Sequence, residues 1–201
     1  MIGKAIGVII LAAGGSSRLG RPKQLLEYRG KPLICHAVET AIDASLGSAI
    51  VVLGSNADAV SSAVGGFPIS IVLNEEWQIG ISSSIKCGLT HALEIQPAMS
   101  AAVFMLSDQP FVRGDDLIAL AERFRSNNSL IVASEYGGSF GVPALFGREV
   151  FGDLMNLSGD AGAKSIIKHH LDKVSMIELP GAPVDIDSHD DYENLVRGKN
   201  R

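Results

Sequence analysis

Short apolar, β-branched runs recur along this 201-residue chain with helix-patterned segments between them, and few architectures accommodate that alternation. The runs predict strands at residues 5–11, 49–53, 69–73, 101–106 and 130–133, with two less regular ones at 142–146 and 174–178. Helical spacing of apolar residues predicts helices over 32–44, 57–64, 82–95, 115–126, 161–171 and 190–197. Pro32 suits a first turn, and Ser82 to Ser84, Asp115 and Asp116 offer N-caps. Strands that are apolar throughout must be covered on both faces, which implies a mostly parallel sheet between helical layers. The expected fold is therefore a three-layer, doubly wound α/β domain of Rossmann-like type, one domain over residues 1–201. Such sheets bind ligands beyond the carboxyl ends of their strands, at the switch point of strand order.

The segment LAAGGSSRLGRPKQLLEYRGKPL, from Leu11, falls at such a strand end. Small residues from Ala12 to Ser17 let the backbone approach a ligand, and successive amides in such a turn form an anion-binding nest. Arg18 adds a bidentate guanidinium and Lys23 a point charge, a pairing suited to a triphosphate. The glycine spacing does not fit the GxGxxG dinucleotide fingerprint, and GSSRLGRP from Gly15 is not a GxxxxGK[ST] phosphate loop. The competing reading is a tight glycine turn with solvated charges.

AAVFMLSDQP places Asp108 directly after another apolar strand. A carboxylate there could hold Mg²⁺, which takes one or two carboxylates together with phosphate oxygens. The competing reading is a cap on the turn before the helix near Asp115.

These motifs resemble those of the NTP-transferase family that includes the molybdenum cofactor nucleotidyltransferases, in its cytidylyltransferase-like branch. The glycine loop is similar to the family's LAAGxSxRxGxxK, Gly30 to Leu33 to its GxPL, and the Asp108 segment to its strand-end xxDxP. NEEWQIGISSSIKCGL, from Asn74, resembles NxxWxxGxxxSLxxGL, while LSGDAGAKSII and VDIDSHDDYENL resemble GDxGA and DIDTPEDY, with Ser188 and His189 in place of Thr-Pro. The resemblance implies that Leu11, Ala12, Ala13, Gly14, Gly15, Ser16, Arg18, Lys23, Gly80, Ser83 and Ser84 contact the nucleotide. It implies catalytic roles for Arg18, Lys23 and Asp108, and a metal held by Asp108 and Asp187, with Asp185 as the alternative second ligand. Trp77 is read equally as packing or as a ligand contact, and Asp160 and Lys164 as acceptor contacts or as a cap and a surface charge.

Composition narrows the partners. The net charge of −5, with no basic cluster, argues against nucleic acid. No apolar run reaches the roughly 18 residues of a membrane span. Cys35 and Cys87 lack CxxC spacing and read as small core residues in a reducing cytoplasm, and the histidines are too scattered for zinc.

The resemblance implies attack by an acceptor phosphate oxygen on the α-phosphorus of an NTP, with release of pyrophosphate and Mg²⁺ or Mn²⁺ as cofactor. Ala13, in LAAG rather than LAGG, points within the family to CTP as co-substrate and to molybdopterin or its metallated form as acceptor. A molybdoenzyme or its chaperone is then a possible protein partner. Two other readings stand: a nucleotidyltransferase for a sugar phosphate or another phosphorylated alcohol, and a non-catalytic nucleotide or pterin carrier needing the loop but not Asp108.

Overall fold

A computed structural model describes residues 5–16, 19–136, 138–179, 185, 186 and 188–198. In chain order the elements are β1 (Ile6–Leu11), a 3-10 turn at Lys23–Leu25, β2 (Glu27–Tyr28), β3 (Lys31–Pro32), α1 (Leu33–Asp43), β4 (Ala49–Leu53) and α2 (Ala57–Val64). There follow β5 (Ser70–Leu73), α3 (Ile81–Ile95), β6 (Ala101–Leu106), α4 (Gly114–Ser126), β7 (Ile131–Tyr136) and β8 (Ser139–Gly147). The last are α5 (Phe151–Met155), α6 (Ala163–His169), β9 (Val174–Glu178) and α7 (His189–Val196).

Seven strands form one sheet in the order β5-β4-β1-β6-β8-β7-β9, and β2 pairs with β3 as a separate ribbon. β5, β4, β1 and β6 run parallel; β8 is antiparallel to both β6 and β7, and β9 is parallel to β7. Only β8 therefore runs against the rest, which confirms the doubly wound, mostly parallel sheet of the sequence reading.

β1 shows why continuous apolar strands were required. Ile6, Val8 and Ile10 face one helical layer, with Ile34, Val38, Val60, Val64, Leu117 and Leu120. Ile9 and Leu11 face the other, with Ile85, Leu89, Leu154, Ile166 and Ile167. Successive strand residues point to opposite faces, so a strand buried on both sides cannot alternate with polar residues. Phe104 of β6 meets Phe146 of β8 edge-on, ring centroids 5.8 Å apart, so the reversed strand closes the core beside the central one.

Some local expectations differ. β7 and β8 run longer than predicted, α6 is shorter, and α5 and the β2–β3 ribbon were not foreseen. Ser82 to Ser84 lie inside the first turn of α3, whose N-cap is Gly80, and Asp115 and Asp116 lie inside the first turn of α4 after Arg113. Asp116 nonetheless accepts the backbone N–H of Arg113 at 2.8 Å, the return half of a cap. Pro32 precedes α1 as its N-cap. Cys35 is buried as expected, but Cys87 is only partly buried. Among the described residues no helix is long and apolar enough to cross a membrane.

Candidate nucleotide site

The ends of β1 and β6 and the start of α3 converge on a cavity of about 250 Å³. Its walls include Leu11 to Gly14, Lys23, Gln24, Trp77, Gly80, Ile81, Ser84 and Leu106 to Asp108.

The glycine-rich loop leaves β1 along the cavity wall with its carbonyls tethered. The carboxamide Nε2 of Gln24 donates to the carbonyls of Ala12 and Gly14, each at 2.8 Å. The backbone N–H of Ser55 donates to the carbonyl of Ala13 at 3.0 Å. Among the described residues, the backbone N–H groups of Ala13, Gly14, Gly15 and Ser16 donate to no protein acceptor. Carbonyls tethered and amides unspent are what an anion nest requires. The loop's far end is tied as well, since Ser16 Oγ accepts the backbone N–H of Lys23 at 2.9 Å.

Gly54 permits this loop to lie against Trp77. A Cβ at Gly54 would sit 2.7 Å from Trp77 Cβ and 2.8 Å from both Ala13 Cβ and its carbonyl oxygen. The half-buried indole therefore walls the cavity beside Gly15.

The second wall is the start of α3. Gly80 holds φ at 126°, and a Cβ there would meet the carbonyl oxygen of Gly159 at 2.4 Å. The loop of residues 158–162 thus braces the helix start, and Ser82 donates its backbone N–H to Gly159 at 3.2 Å. Buried Asn74 shapes the preceding turn, donating to Ser83 Oγ at 2.8 Å and Ser84 Oγ at 3.0 Å while accepting the Glu76 N–H at 3.0 Å. Ser83 Oγ is spent on the carbonyls of Glu76 and Gly80, and Ser84 is the serine on the cavity wall.

At the cavity floor, Lys23 Nζ forms a direct ion pair with Asp108 Oδ2. The Asp108 side chain is 2% exposed and that of Lys23 22%, so the carboxylate is buried while the lysine is partly open to solvent. The neighbouring Gln109 donates to Asp185 Oδ1 and to the Val142 carbonyl, both at 3.0 Å, tying the last described loop to the end of β6. Burial first, and the Asp185 charge second, push the Tyr136 phenol above its ordinary value.

Of the residues read from the sequence, Leu11, Ala12, Ala13, Gly14, Lys23, Gly80, Ser84 and Asp108 share the cavity wall. Gly15 and Ser16 flank it, and Ser83 is committed to the turn. Arg18 and Asp187 lie outside the described residues. Lys164 points to Ser139 Oγ at 3.0 Å, Asp160 lies against Gly80, and Ser188 caps α7 by accepting the Asp191 N–H at 3.2 Å. The sequence reading missed Gln24, Ile81, Leu106 and Ser107 as cavity residues. Gln24 carried a signal: a polar residue directly before the apolar pair Leu25 and Leu26, in a segment that folds inward.

Among the described residues no three His, Cys, Asp or Glu side chains cluster as a metal cage. Among the described residues, Asp108 is the one carboxylate on the cavity wall, and it is buried. That donor chemistry fits Mg²⁺ or Mn²⁺, which keep waters and share one or two carboxylates with phosphate oxygens, and it does not fit a cation needing an all-protein cage.

Fold and cavity together define a nucleotidyltransferase-type α/β protein: a glycine loop, a lysine and a strand-end carboxylate around one opening. A family model described as the MobA-like NTP transferase domain matches residues 8–174, and the chain belongs to that family. The structure of Rv0371c from Mycobacterium tuberculosis, in complex with manganese, superposes with a TM-score of 0.81 at 30% identity, covering 96% of this chain and 98% of that one. Nicotine blue oxidoreductase of Paenarthrobacter nicotinovorans is 43% identical over 81 residues, 40% of each chain. A probable molybdenum cofactor guanylyltransferase of Thermococcus sibiricus is 26% identical over 136 residues, 67% of this chain and 64% of the relative. The chain thus spans less than two thirds of the length of these two relatives.

Proposed function

We propose that residues 1–201 form one nucleotidyltransferase domain that transfers CMP from CTP to the phosphate of molybdopterin or its metallated form, releasing pyrophosphate. The observation that carries the transfer chemistry is the Lys23–Asp108 pair on the floor of a cavity roofed by unspent loop amides. The kinship to a probable molybdenum cofactor guanylyltransferase supports the acceptor, and Ala13 in LAAG supports the base.

In this reading the triphosphate lies along the amides of residues 13–16, and Lys23 turns from Asp108 to the phosphate oxygens. Arg18 adds a second cation. Leu11 to Gly14, Gly80 and Ser84 enclose the nucleoside, with Trp77 as the side wall. Asp108, with Asp187 or Asp185, holds the divalent cation, which when bound neutralises charge on the phosphates. An acceptor phosphate is already anionic, so the site requires no general base; positioning and charge neutralisation lower the barrier.

The test is pyrophosphate release by the purified protein with Mg²⁺, molybdopterin and each of CTP, GTP, ATP and UTP. Release with CTP alone is expected, and Asp108→Ala abolishes it while the far-UV spectrum stays unchanged. Preference for GTP overturns the base assignment. Release with a sugar phosphate but not with molybdopterin overturns the acceptor. Reduction of nicotine blue without any pyrophosphate release overturns the transferase reading itself.

A further inference from the structure

Gln24 is 1% exposed, lies on the wall of the nucleotide cavity, and spends both donor hydrogens on loop carbonyls. Its Oε1 is buried with no hydrogen-bond partner. Rotating the carboxamide by half a turn would aim that oxygen at two carbonyl oxygens, so the neighbours fix the orientation. A buried acceptor without a donor costs free energy, and an apolar side chain of similar length would fill the same space without it. What such a chain lacks is the pair of N–H groups.

Those two groups decide which way the loop faces. Without them the carbonyls of Ala12 and Gly14 must find other donors, and both residues line the cavity, where water is available. A carbonyl oxygen turned there would oppose an anion and withdraw the neighbouring amide from it. The Ser55 N–H holds only the middle carbonyl, that of Ala13. Gln24 also belongs to the same 3-10 turn as Lys23, whose N–H is tied to Ser16. One short turn therefore sets both the cation and the amides.

We infer that Gln24 is a positioning residue: its carboxamide holds the glycine-rich loop in the anion-accepting shape before the nucleotide arrives. The inference rests on the reading of this cavity as a nucleotide triphosphate site, and it is independent of base and acceptor.

The variants are Gln24→Met, which matches the length but has no donors, and Gln24→Glu, which sets a carboxylate against both carbonyls. Binding of CTP and of inorganic triphosphate, each with Mg²⁺, is measured by calorimetry at a temperature where circular dichroism shows the variant folded. Both ligands are expected to weaken by about tenfold or more and by a similar factor, while the KM for the acceptor stays within about twofold. A merely structural role would lower the melting temperature without separating those constants. Triphosphate binding within about twofold of wild type in folded Gln24→Met overturns the inference and leaves the proposed function standing. Wild-type protein that binds neither ligand overturns both. Should neither variant fold, the wild-type side-chain amide decides: slow hydrogen exchange of the Gln24 carboxamide before ligand is added supports the tether, and exchange at the rate of a free amide overturns it.

Discussion

Replacing Lys23 by methionine in the unliganded protein removes the cation of the ion pair at the cavity floor. Methionine retains most of the aliphatic stem and deletes only the charge. Asp108, with 2% of its side chain exposed, then remains as a buried carboxylate without its partner. Removing one member of a buried pair costs about 3–5 kcal/mol, because the survivor cannot regain its hydration. Lys23 is already 22% exposed, and that access of water to the pair sets the value near the lower end. The expected loss is about 3 kcal/mol, or roughly 6–12 °C in Tm for a chain of this length. The converse change, Asp108→Asn, keeps a carbonyl oxygen that can still accept from the Lys23 ammonium, and should cost only about 1 kcal/mol. The double variant should recover about 2 kcal/mol of the summed losses. Urea unfolding with a chelator present, at an unchanged slope, measures all three. Lys31→Met serves as control: its pair with Glu39 is 51% and 34% exposed, and its loss should stay within about 0.5 kcal/mol. A Lys23→Met variant within about 0.5 kcal/mol of wild type, or strict additivity in the cycle, would refute the reasoning.

Trp77 is the only tryptophan in the chain and walls the cavity, so CTP with Mg²⁺ should alter its emission intensity, and an emission indifferent to saturating nucleotide would remove it from the site. Gly80→Ala forces a Cβ to within 2.4 Å of the Gly159 carbonyl oxygen at a φ of 126°, so a loss of about 2 kcal/mol or more is expected by urea unfolding, with a raised KM for the nucleotide. Burial pushes both thiols up, with Glu39 adding to the effect at Cys35 and Glu94 at Cys87. A raised thiol value means less thiolate at any given pH, so iodoacetamide should label the folded protein more slowly than free cysteine at pH 8 and accelerate as pH rises further. Labelling of Cys87 at the free-thiol rate would contradict that environment.

The parts legible in the sequence were those governed by local chemistry. β1 could be read from IGVIIL because a strand buried on both faces must be apolar throughout, and Lys23 and Asp108 could be placed together because each follows a strand of the same sheet. The N-cap of α3 was misread for the opposite reason. Ser82 to Ser84 are good caps in isolation, but Gly80 takes the position because the backbone at Gly159 fills the space a Cβ would need. β7 was read short because Ser134 and Glu135 interrupt the apolar run, where the register with β8 shifts at Ala133 and Ser134. The role of Gln24 depends on two carbonyls that only the folded loop brings to its amide.

Among the described residues, those lining the cavity run from Leu11 to Asp108. The later part of the chain reaches it through the Gly159 brace, through Asp185 on Gln109, and by laying β8 beside β6. For protein engineering the two parts are therefore unequal. A chimera joined near residue 110 would carry the described cavity wall over, provided the grafted portion supplies an antiparallel strand to cover Phe104, a backbone carbonyl to meet Gly80 and a carboxylate where Asp185 meets Gln109.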